Sequence, residues 1–250
     1  MDPGAREPEL LGQTVVLIGG SAGIGLATAR RARLEGADVI LTGRDAERLQ
    51  KAADEVGARR VAAFDAGDSE QLEQFFADLP STIDHVMVTA GQPHYGPLLE
   101  MDLADVRRGL EDHLLLAIQV SRLAVDRVPP GGSLVFIGGT GGRQPGVGLG
   151  LLSTVTAAMP ALVGQLALDV APVRVNLIAP GFVDTSLSAS LLGDDLDARR
   201  EQLRAALPIG RVVQPEDVAR LAVHLMVNTA LTGATYDVDG GQQLVVRTGA

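Results

Sequence analysis

Short apolar segments rich in branched residues alternate along this chain with segments whose apolar residues recur at helical spacing. The strand-like segments are 14–20, 38–44, 59–65, 83–91, 131–139, 173–181 and 234–241. The helix-like segments between them include 45–58, 68–79, 104–127, 153–170 and 214–228. Because alternating strands and helices need crossover connections over a sheet, this order predicts a parallel sheet. Right-handed crossovers then place helices on both faces, which gives an α/β, Rossmann-type doubly wound fold.

The length and the apolar content set the domain organisation. A chain of 250 residues, 46% of them apolar, can bury one large core. No low-complexity linker or second core interrupts it, so we expect residues 1–250 to form a single dinucleotide-binding domain with 1–11 as a flexible polar tail. Segment 184–210 contains no strand-like run. We expect it to be a substrate lid, although its composition fits an ordinary pair of surface helices equally well.

Composition also excludes several function classes. The absence of cysteine excludes disulfides, thiolate catalysis and thiolate metal sites, and we predict no metal site. A net charge of −10 argues against non-specific binding to nucleic acid. The N-terminus lacks the basic start and apolar stretch of a secretory signal, and no apolar run reaches the length of a membrane span. We therefore expect a cytoplasmic protein that binds neither nucleic acid nor membrane.

The sequence GGSAGIG, at 19–25, directly follows the first strand and opens the first helix. Glycines at this spacing let the backbone approach a pyrophosphate, which then lies at the positive end of the helix dipole. A tight turn that serves packing alone is the alternative. In its place at the head of a βαβ series, the motif predicts a dinucleotide site.

The end of the second strand indicates which dinucleotide is bound. Residues 42–45 read TGRD, and this position faces the adenosine ribose in such folds. Arg44 stands where an acidic residue would bind the two ribose hydroxyls of NAD, and a guanidinium grips a 2′-phosphate by a bidentate contact. Arg44 therefore favours NADP(H), the alternative being a solvated arginine at a helix start. Asp45 fits a helix cap better than a ribose ligand.

Together these motifs resemble the short-chain dehydrogenase/reductase family over residues of about 12 to 245. The segment 19–25 is similar to its glycine-rich turn, and VTAG at 88–91 to its NAG turn. NLIAPGFVDT, at 176–185, resembles the segment that holds the nicotinamide, and LTGATYDVDGG, at 231–241, resembles the C-terminal strand. The resemblance implies a hydride-transfer oxidoreductase.

The resemblance also implies a set of cofactor-binding positions, among them an aspartate against the adenine. In this sequence the expected positions are Gly19, Ser21, Ala22, Gly23, Ile24, Gly25, Arg44, Asp65, Ala66, Ala90, Gly91, Pro180, Gly181, Val183 and Thr185.

The catalytic positions depart from the family pattern. Members use a tyrosine as acid or base, a lysine that lowers its pKa, a serine that binds the substrate oxygen and an asparagine that supports a water relay. Counting back from the nicotinamide segment places the tyrosine position at Leu152 and the lysine position at Thr156. The serine position is then Gly139, and the asparagine position is His113. Since the only lysine of the chain is Lys51, no other register restores the tyrosine–lysine pair.

Several polar residues are candidates to replace the missing groups. They are His113, Thr140, Ser153 and Tyr95, with His94 beside the last. Histidine ordinarily titrates near neutrality, which makes His113 a candidate acid or hydrogen-bond donor, although a helix histidine bonded to a backbone carbonyl is the favoured alternative. Tyr95 and His94 equally fit a loop rim without chemistry, and Ser153 a helix N-cap. Pro160 indicates a helix that starts late or is kinked, and Tyr236 fits a packing residue.

Two function classes remain open from the sequence. One is an NADP(H)-dependent oxidoreductase that acts on a small organic substrate; quinones, iminium ions and conjugated alkenes best tolerate the loss of a general acid. The other is an inactive NADP(H)-binding sensor, regulator or partner subunit. A lyase or isomerase that uses His113 is a third possibility resting on one residue. The resemblance also implies a homodimer or homotetramer that associates through 104–127, 153–170 and the last strand, although the first of these helices is equally explained by burial in its own domain.

Overall fold

A computed structural model describes residues 7–143 and 145–245. The described residues form a seven-stranded sheet in the order β3-β2-β1-β4-β5-β6-β7, and every pair of neighbours is parallel. The strands are β1 (Thr14–Ile18), β2 (Asp38–Gly43), β3 (Arg60–Ala63), β4 (His85–Val88), β5 (Ser133–Ile137), β6 (Arg174–Pro180) and β7 (Thr235–Val238). The strand order reverses between β1 and β4, so the predicted doubly wound α/β fold is confirmed.

Helices cover both faces of this sheet. They are α1 (Gly23–Leu34), α2 (Ala46–Val56), α3 (Ser69–Ala77), α4 (Leu103–Leu110), α5 (Leu116–Ala124), α6 (Gly150–Asp169), α7 (Ser186–Leu192), α8 (Leu196–Ala206) and α9 (Pro215–Val227). Along β1 the side chains alternate: Val16 and Ile18 join the core under α3, α5 and α6, whereas Val15 and Leu17 join the core under α1, α2 and α9.

The predicted helix 104–127 is continuous but irregular. A π-helical turn, Glu111–Leu115, joins α4 to α5. Such a turn inserts one residue and rotates the side chains that follow, and π-bulges are frequent at functional sites. Here it carries Asp112 and His113.

The predicted helix 153–170 begins three residues early, at Gly150, and runs through Pro160 to Asp169. Its N-cap is Leu149, so the prediction that Ser153 caps this helix is wrong. The helix starts early because Leu151 is an inward-facing residue of its first turn and is buried in the core.

The structure describes part of the expected tail, 1–11, and all of the expected lid, 184–210. Residues 1–6 of the expected tail 1–11 lie outside the described residues, whereas Leu10 is fully buried and its N–H donates to the Glu35 carbonyl at 2.9 Å. That end of the segment is therefore anchored to the core. Segment 184–210 holds α7 and α8, and Arg200 of α8 makes a bidentate ion pair of 2.8 and 2.9 Å with Asp184. Its role as a lid and the single-domain organisation stay predictions.

Helix α6 is long and apolar enough to cross a membrane by length and composition, with a mean hydropathy of 1.6 over its most apolar window. On this criterion the prediction that no apolar run reaches the length of a span is wrong. Seven residues of α6 are buried, from Leu151 to Ala167, and they recur at the spacing of one helix face. The apolar content of this helix therefore contributes to the core beneath it.

Candidate functional site

The carboxyl ends of the central strands meet at the point where the strand order reverses. The N–H groups of Thr89 and Ala90, just after β4, both donate to the Ile18 carbonyl at the end of β1, at 2.8 and 3.0 Å. The Thr89 hydroxyl also donates to the Gly19 carbonyl at 2.9 Å. Ligands of open α/β sheets bind in the crevice at this switch point, and these bonds fix its two walls relative to each other.

The glycine-rich turn can hold only glycine at two positions. A Cβ on Gly25 would overlap the Gly19 carbonyl oxygen and come within 2.7 Å of the Thr89 hydroxyl. Gly19 has a φ of 100°, and a Cβ there would lie 2.7 Å from the Ala90 nitrogen. The backbone of the turn therefore packs directly against the end of β4.

The start of α1 is suited to an anion. Within the described chain, α1 has no side-chain cap and no acidic residue in its first turn, and its N-cap is Ala22. The first N–H groups of a helix are unsatisfied without a cap and carry a partial positive charge. Gly23 lies beneath the Thr185 methyl group, which is 3.4 Å from the position of a Cβ. The residues present thus fit the pyrophosphate of a dinucleotide, with Thr185 on its far side.

The rim that would face the adenosine ribose carries Arg44. It directly follows β2 and is exposed. The Ser21 hydroxyl lies 2.9 Å from the position of a Cβ on Gly43, so Ser21 and Arg44 border the same turn. Asp45 accepts a hydrogen bond from the Arg48 N–H at 2.9 Å, which confirms its role as the N-cap of α2.

The remaining cofactor positions lie at the same edge of the sheet. Asp65 accepts from the Gly67 N–H at 3.1 Å, and Ala66 is buried in the core. Gly181 packs against Asp239, where a Cβ on Gly181 would lie 2.8 Å from the Asp239 Cβ. Val183 is buried and pairs with Val213.

The four positions predicted to match the family's catalytic residues lie in two neighbouring pairs, His113 with Leu152 and Gly139 with Thr156. His113 and Leu152 line one pocket together with His94, Gly109, Leu151 and Val155. A Cβ on Gly139 would lie 3.2 Å from the Thr156 methyl group. The Thr156 hydroxyl donates to the Leu152 carbonyl within its own helix at 2.7 Å, so it has no proton to offer a substrate.

His113 is held in one tautomer. Its Nδ1–H donates to the Gly109 carbonyl at 3.0 Å, since a carbonyl only accepts. Its Nε2 and Cε1 lie 3.5 and 3.6 Å from the position of a Cβ on Gly91. Burial lowers the pKa of His113, with His94 acting in the same direction, while the bond to Gly109 and the Asp112 charge raise it. The bond to the backbone carbonyl thus occupies Nδ1 and leaves Nε2 as the nitrogen that is not bonded to Gly109.

His94 and Asp112 join this pocket. The Nε2 of His94 lies 3.9 Å from a carboxylate oxygen of Asp112 and is buried, with no hydrogen-bond partner among the described residues. The imidazole of His94 covers Gly109, where a Cβ would lie 3.1 Å from its Cδ2 and would overlap Leu151. Asp112 was missed from the sequence because its proximity depends on the π turn.

The other candidates lie in different surroundings. Tyr95 is half exposed; burial raises its pKa and the charge of Arg199 on α8 opposes that rise. Arg199 lies over the Phe182 ring, 5.9 Å from its centroid. The Ser153 hydroxyl is buried and has no hydrogen-bond partner within the described chain, and Thr140 is buried.

The chain's lysine and its second tyrosine lie apart from this group. Lys51 is exposed on α2, and Tyr236 packs against the core beneath β7. Over residues 7–143 and 145–245, no group of three histidine, aspartate or glutamate side chains is arranged to hold a metal ion.

A doubly wound parallel sheet with a glycine-rich, uncapped helix start at its switch point defines a dinucleotide-binding fold of the Rossmann class. A family model described as enoyl-(acyl carrier protein) reductase matches residues 19–243. The chain belongs to the short-chain dehydrogenase/reductase family.

Three relatives illustrate the range of this family. The short-chain dehydrogenase/reductase malC of Malbranchea aurantiaca is 29% identical over 98% of this chain and 100% of its own length. The solved structure of that organism's MalC reductase/Diels-Alderase has a TM-score of 0.89 at 26% identity, covering 95% of this chain and 99% of that one. A cyclic-di-GMP-binding biofilm dispersal mediator of Escherichia coli is 30% identical over 92% of this chain and 96% of its own. BdcA in complex with NADPH has a TM-score of 0.83 at 29% identity, covering 93% and 95% of the two chains.

Proposed function

We propose that this protein is an NADP(H)-dependent reductase of small, already activated organic acceptors, with His113 in place of the tyrosine and lysine of its relatives. The observation that carries the proposal is the placement of His113: Gly109 engages its Nδ1, and its Nε2 lies 3.5 Å from the position of a Cβ on Gly91, in the turn after β4. Bound NADPH would supply the hydride.

The proposed preference for NADP(H) depends on Arg44. Its exposed guanidinium borders the turn that carries Ser21. A charge-assisted bond to a 2′-phosphate is worth about 1.5–3 kcal/mol. We expect Arg44→Ala to weaken NADPH binding by roughly 10- to 100-fold and to leave NADH binding unchanged, as measured by calorimetry. Arg48→Ala, one turn further along α2, is the matched control. Equal losses for both coenzymes would remove the basis for NADP(H).

The proposed acceptor class follows from the groups at positions 152 and 156. The Leu152 side chain has no acidic proton, and the Thr156 hydroxyl donates its proton to the Leu152 carbonyl of the same helix. General acid catalysis contributes about 10²- to 10⁴-fold, so an unactivated ketone would react slowly here. A quinone, an iminium ion or a conjugated alkene depends less on general acid catalysis.

NADPH consumption against matched acceptors tests the proposal. The panel holds a quinone, a cyclic iminium ion, an enone and a simple ketone, each with wild type, His113→Gln and His224→Gln. His224 is exposed on α9 and controls for the loss of an imidazole. We expect turnover of at least one activated acceptor, little turnover of the ketone, and a loss of about 10²-fold or more in His113→Gln alone. Tight NADPH binding with no turnover of any acceptor would contradict the proposal.

The triple variant Gly139→Ser, Leu152→Tyr and Thr156→Lys tests the assignment of the family positions. Gly139 and Thr156 are neighbours in the structure. We expect the variant to gain ketone reduction, because it restores a proton donor and the lysine that lowers its pKa. If the variant folds, binds NADPH and gains no activity, the assigned register is wrong.

A second candidate is an NADP(H)-binding sensor or regulator without turnover. It is favoured by a relative named for binding cyclic-di-GMP rather than for a reaction. The cofactor cradle serves both functions equally, so the acceptor panel separates them.

We further propose that the protein works in the cytoplasm as a homodimer or homotetramer. The π turn, α5 and α6 expose apolar side chains at Leu115, Ile118 and Leu168, respectively. Light scattering coupled to size exclusion measures the state, and a monomer at micromolar concentration would contradict it.

A further inference from the structure

The turn after β7 lies against the segment predicted to hold the nicotinamide. Residues 239–244, which we call the C-terminal turn, directly follow β7. The Gln242 amide oxygen in this turn accepts the Phe182 N–H at 2.9 Å. One residue earlier, the Gly181 N–H donates to the Val238 carbonyl at the end of β7 at 3.2 Å. Two consecutive backbone N–H groups just beyond the end of β6 are therefore bonded to the last part of the described chain.

Asp239 fixes the backbone of the C-terminal turn. Its carboxylate is buried and accepts the Gly241 and Gln243 N–H groups at 2.8 and 3.0 Å, and it also accepts the Gln243 side-chain amide at 3.0 Å. Burial acts to raise the pKa of this carboxyl, but the hydrogen bonds from Gln243 and Gly241 outweigh it, so the pKa is lowered. Gly241 has a φ of 86°, and a Cβ there would lie 2.6 Å from the Pro208 Cγ. Bonds and packing therefore set the position from which the Gln242 side chain extends.

The Gln242 amide reaches Phe182 because Gly181 has no side chain. A Cβ on Gly181 would lie 2.7 Å from the Gln242 amide oxygen and would displace it. The Phe182 N–H lies past the end of β6, where the strand ladder stops, and a backbone N–H left without an acceptor costs free energy. On its other side, the Phe182 ring packs against a cluster that includes Leu203 of α8. Phe182 is thus held through its backbone by Gln242 and through its ring by α8.

The end of β7 and the C-terminal turn also hold the loop after β5. Arg143, in that loop, donates from its guanidinium to the Asp237 carboxylate and, at 2.9 Å, to the Gln243 amide oxygen. The same loop contains Gly139, where a Cβ would lie 3.7 Å from the Pro180 carbonyl oxygen. The loops after β5 and β6 are therefore neighbours, and each of them is bonded to β7 or to the C-terminal turn.

We propose that Gln242 is a positioning residue for the nicotinamide half of the coenzyme, an inference that rests on the proposed coenzyme. Its amide oxygen holds the backbone of Phe182. Phe182 stands between Gly181 and Val183, the residues expected to meet the nicotinamide. The adenosine half is expected at Arg44, after β2, and three strands separate β2 from β6 in the sheet. Loss of the Gln242 bond should therefore disturb the binding of one half of the coenzyme and spare the other.

Calorimetry on the full chain with two probes separates the two halves. NADPH fills both, whereas adenosine 2′,5′-bisphosphate carries the adenosine and the 2′-phosphate and lacks the nicotinamide. We expect Gln242→Leu to bind NADPH about tenfold more weakly and to bind the bisphosphate as wild type does, because one backbone N–H loses its acceptor. Gln242→Glu keeps an oxygen acceptor at the same chain length and should restore most of the affinity. Gln74→Leu, which removes an exposed amide on α3, is the matched control and should bind both probes normally.

Bisphosphate binding by Gln242→Leu shows that this variant is folded, so a loss confined to NADPH is a loss at the nicotinamide. An equal loss for both probes, or no loss for either, would overturn the inference. Wild type that binds neither probe would reject the proposed coenzyme, and the inference would fall with it. A second readout is the fluorescence of NADPH bound at saturation, which reports the surroundings of the nicotinamide ring. We expect this emission to change in Gln242→Leu and to stay as in wild type in Gln74→Leu; an unchanged emission in Gln242→Leu would contradict the role of Gln242.

Discussion

His85 predicts how the stability of this fold depends on pH. It lies on β4, is 2% exposed, and is bonded to the Ser133 hydroxyl at 2.9 Å and the Gln13 amide oxygen at 2.7 Å. Desolvation, with a smaller contribution from the charge of Arg174, lowers the pKa of His85 from 6.5 to about 3. The amide oxygen accepts from Nε2–H, and Nδ1 accepts from the serine, so the neutral ring satisfies both partners.

The sign of the effect follows from the lowered pKa. Between pH 6.5 and about 3 the unfolded state binds a proton at His85 that the folded state does not, so stability falls as the solution is acidified through this window. One pKa unit corresponds to about 1.36 kcal/mol, so His85 alone should remove about 2 kcal/mol between pH 7.5 and 5.0. Above the ordinary pKa its contribution is constant.

Urea unfolding followed by circular dichroism measures this loss, because the chain has no tryptophan to report by fluorescence. We expect His85→Gln to be less stable than wild type at pH 7.5, yet to lose about 2 kcal/mol less on acidification to pH 5.0. His224→Gln should keep the wild-type loss. Other titrating groups contribute equally to each protein and cancel in the comparison. If wild type and His85→Gln lose the same free energy between the two pH values, His85 is not buried in its neutral form.

Further predictions follow from other parts of the structure. Gly25→Ala should weaken NADPH binding at least tenfold in calorimetry, because its Cβ overlaps the Gly19 carbonyl, whereas Gly164→Ala meets nothing within 4 Å and should bind normally. Arg174→Met should lower the free energy of unfolding by about 3 kcal/mol or more in urea titrations, because the guanidinium donates to the Gly131, Leu225, Met226, Asn228 and Leu231 carbonyls. Asp184→Asn should raise KM for the acceptor more than KM for NADPH in steady-state kinetics, since it breaks the ion pair between α8 and the nicotinamide segment, while Asp197→Asn, at the exposed side of the same arginine, should change neither. The rate of acceptor reduction at saturating NADPH should rise as pH falls below 7, because burial lowers the pKa of His113 and only its imidazolium donates a proton; a rate that rises with pH would contradict this assignment.

The parts of this fold that follow from local patterns were predictable. The alternation of strand and helix segments is a short-range property, and so is the glycine spacing after β1. Two details of the helices differ from the prediction: the start of α6 and the π turn between α4 and α5. Helix α6 starts at Gly150 because Leu151 fills the core, and the π turn around His113 has no sequence signature.

The candidate site was partly predictable for the same reason. Position counting from segment 176–185 predicts that Leu152 and Thr156 take the tyrosine and lysine positions, and it needs only a short connection between α6 and β6, which the structure has. The proximity of Asp112 to His94 was not predictable, because one lies after α4 and the other after β4. Their separation of 3.9 Å exists only once the π turn has rotated Asp112 toward the loop.

The lowered pKa of His113 has opposite effects on two quantities that govern reduction. An imidazolium of lower pKa is a stronger acid, so each proton it holds transfers more readily. The same shift lowers the share of His113 that is protonated at a given pH. Acidification therefore increases the number of proton donors without changing the strength of each one, and this is why we expect the rate of reduction to rise as the pH falls.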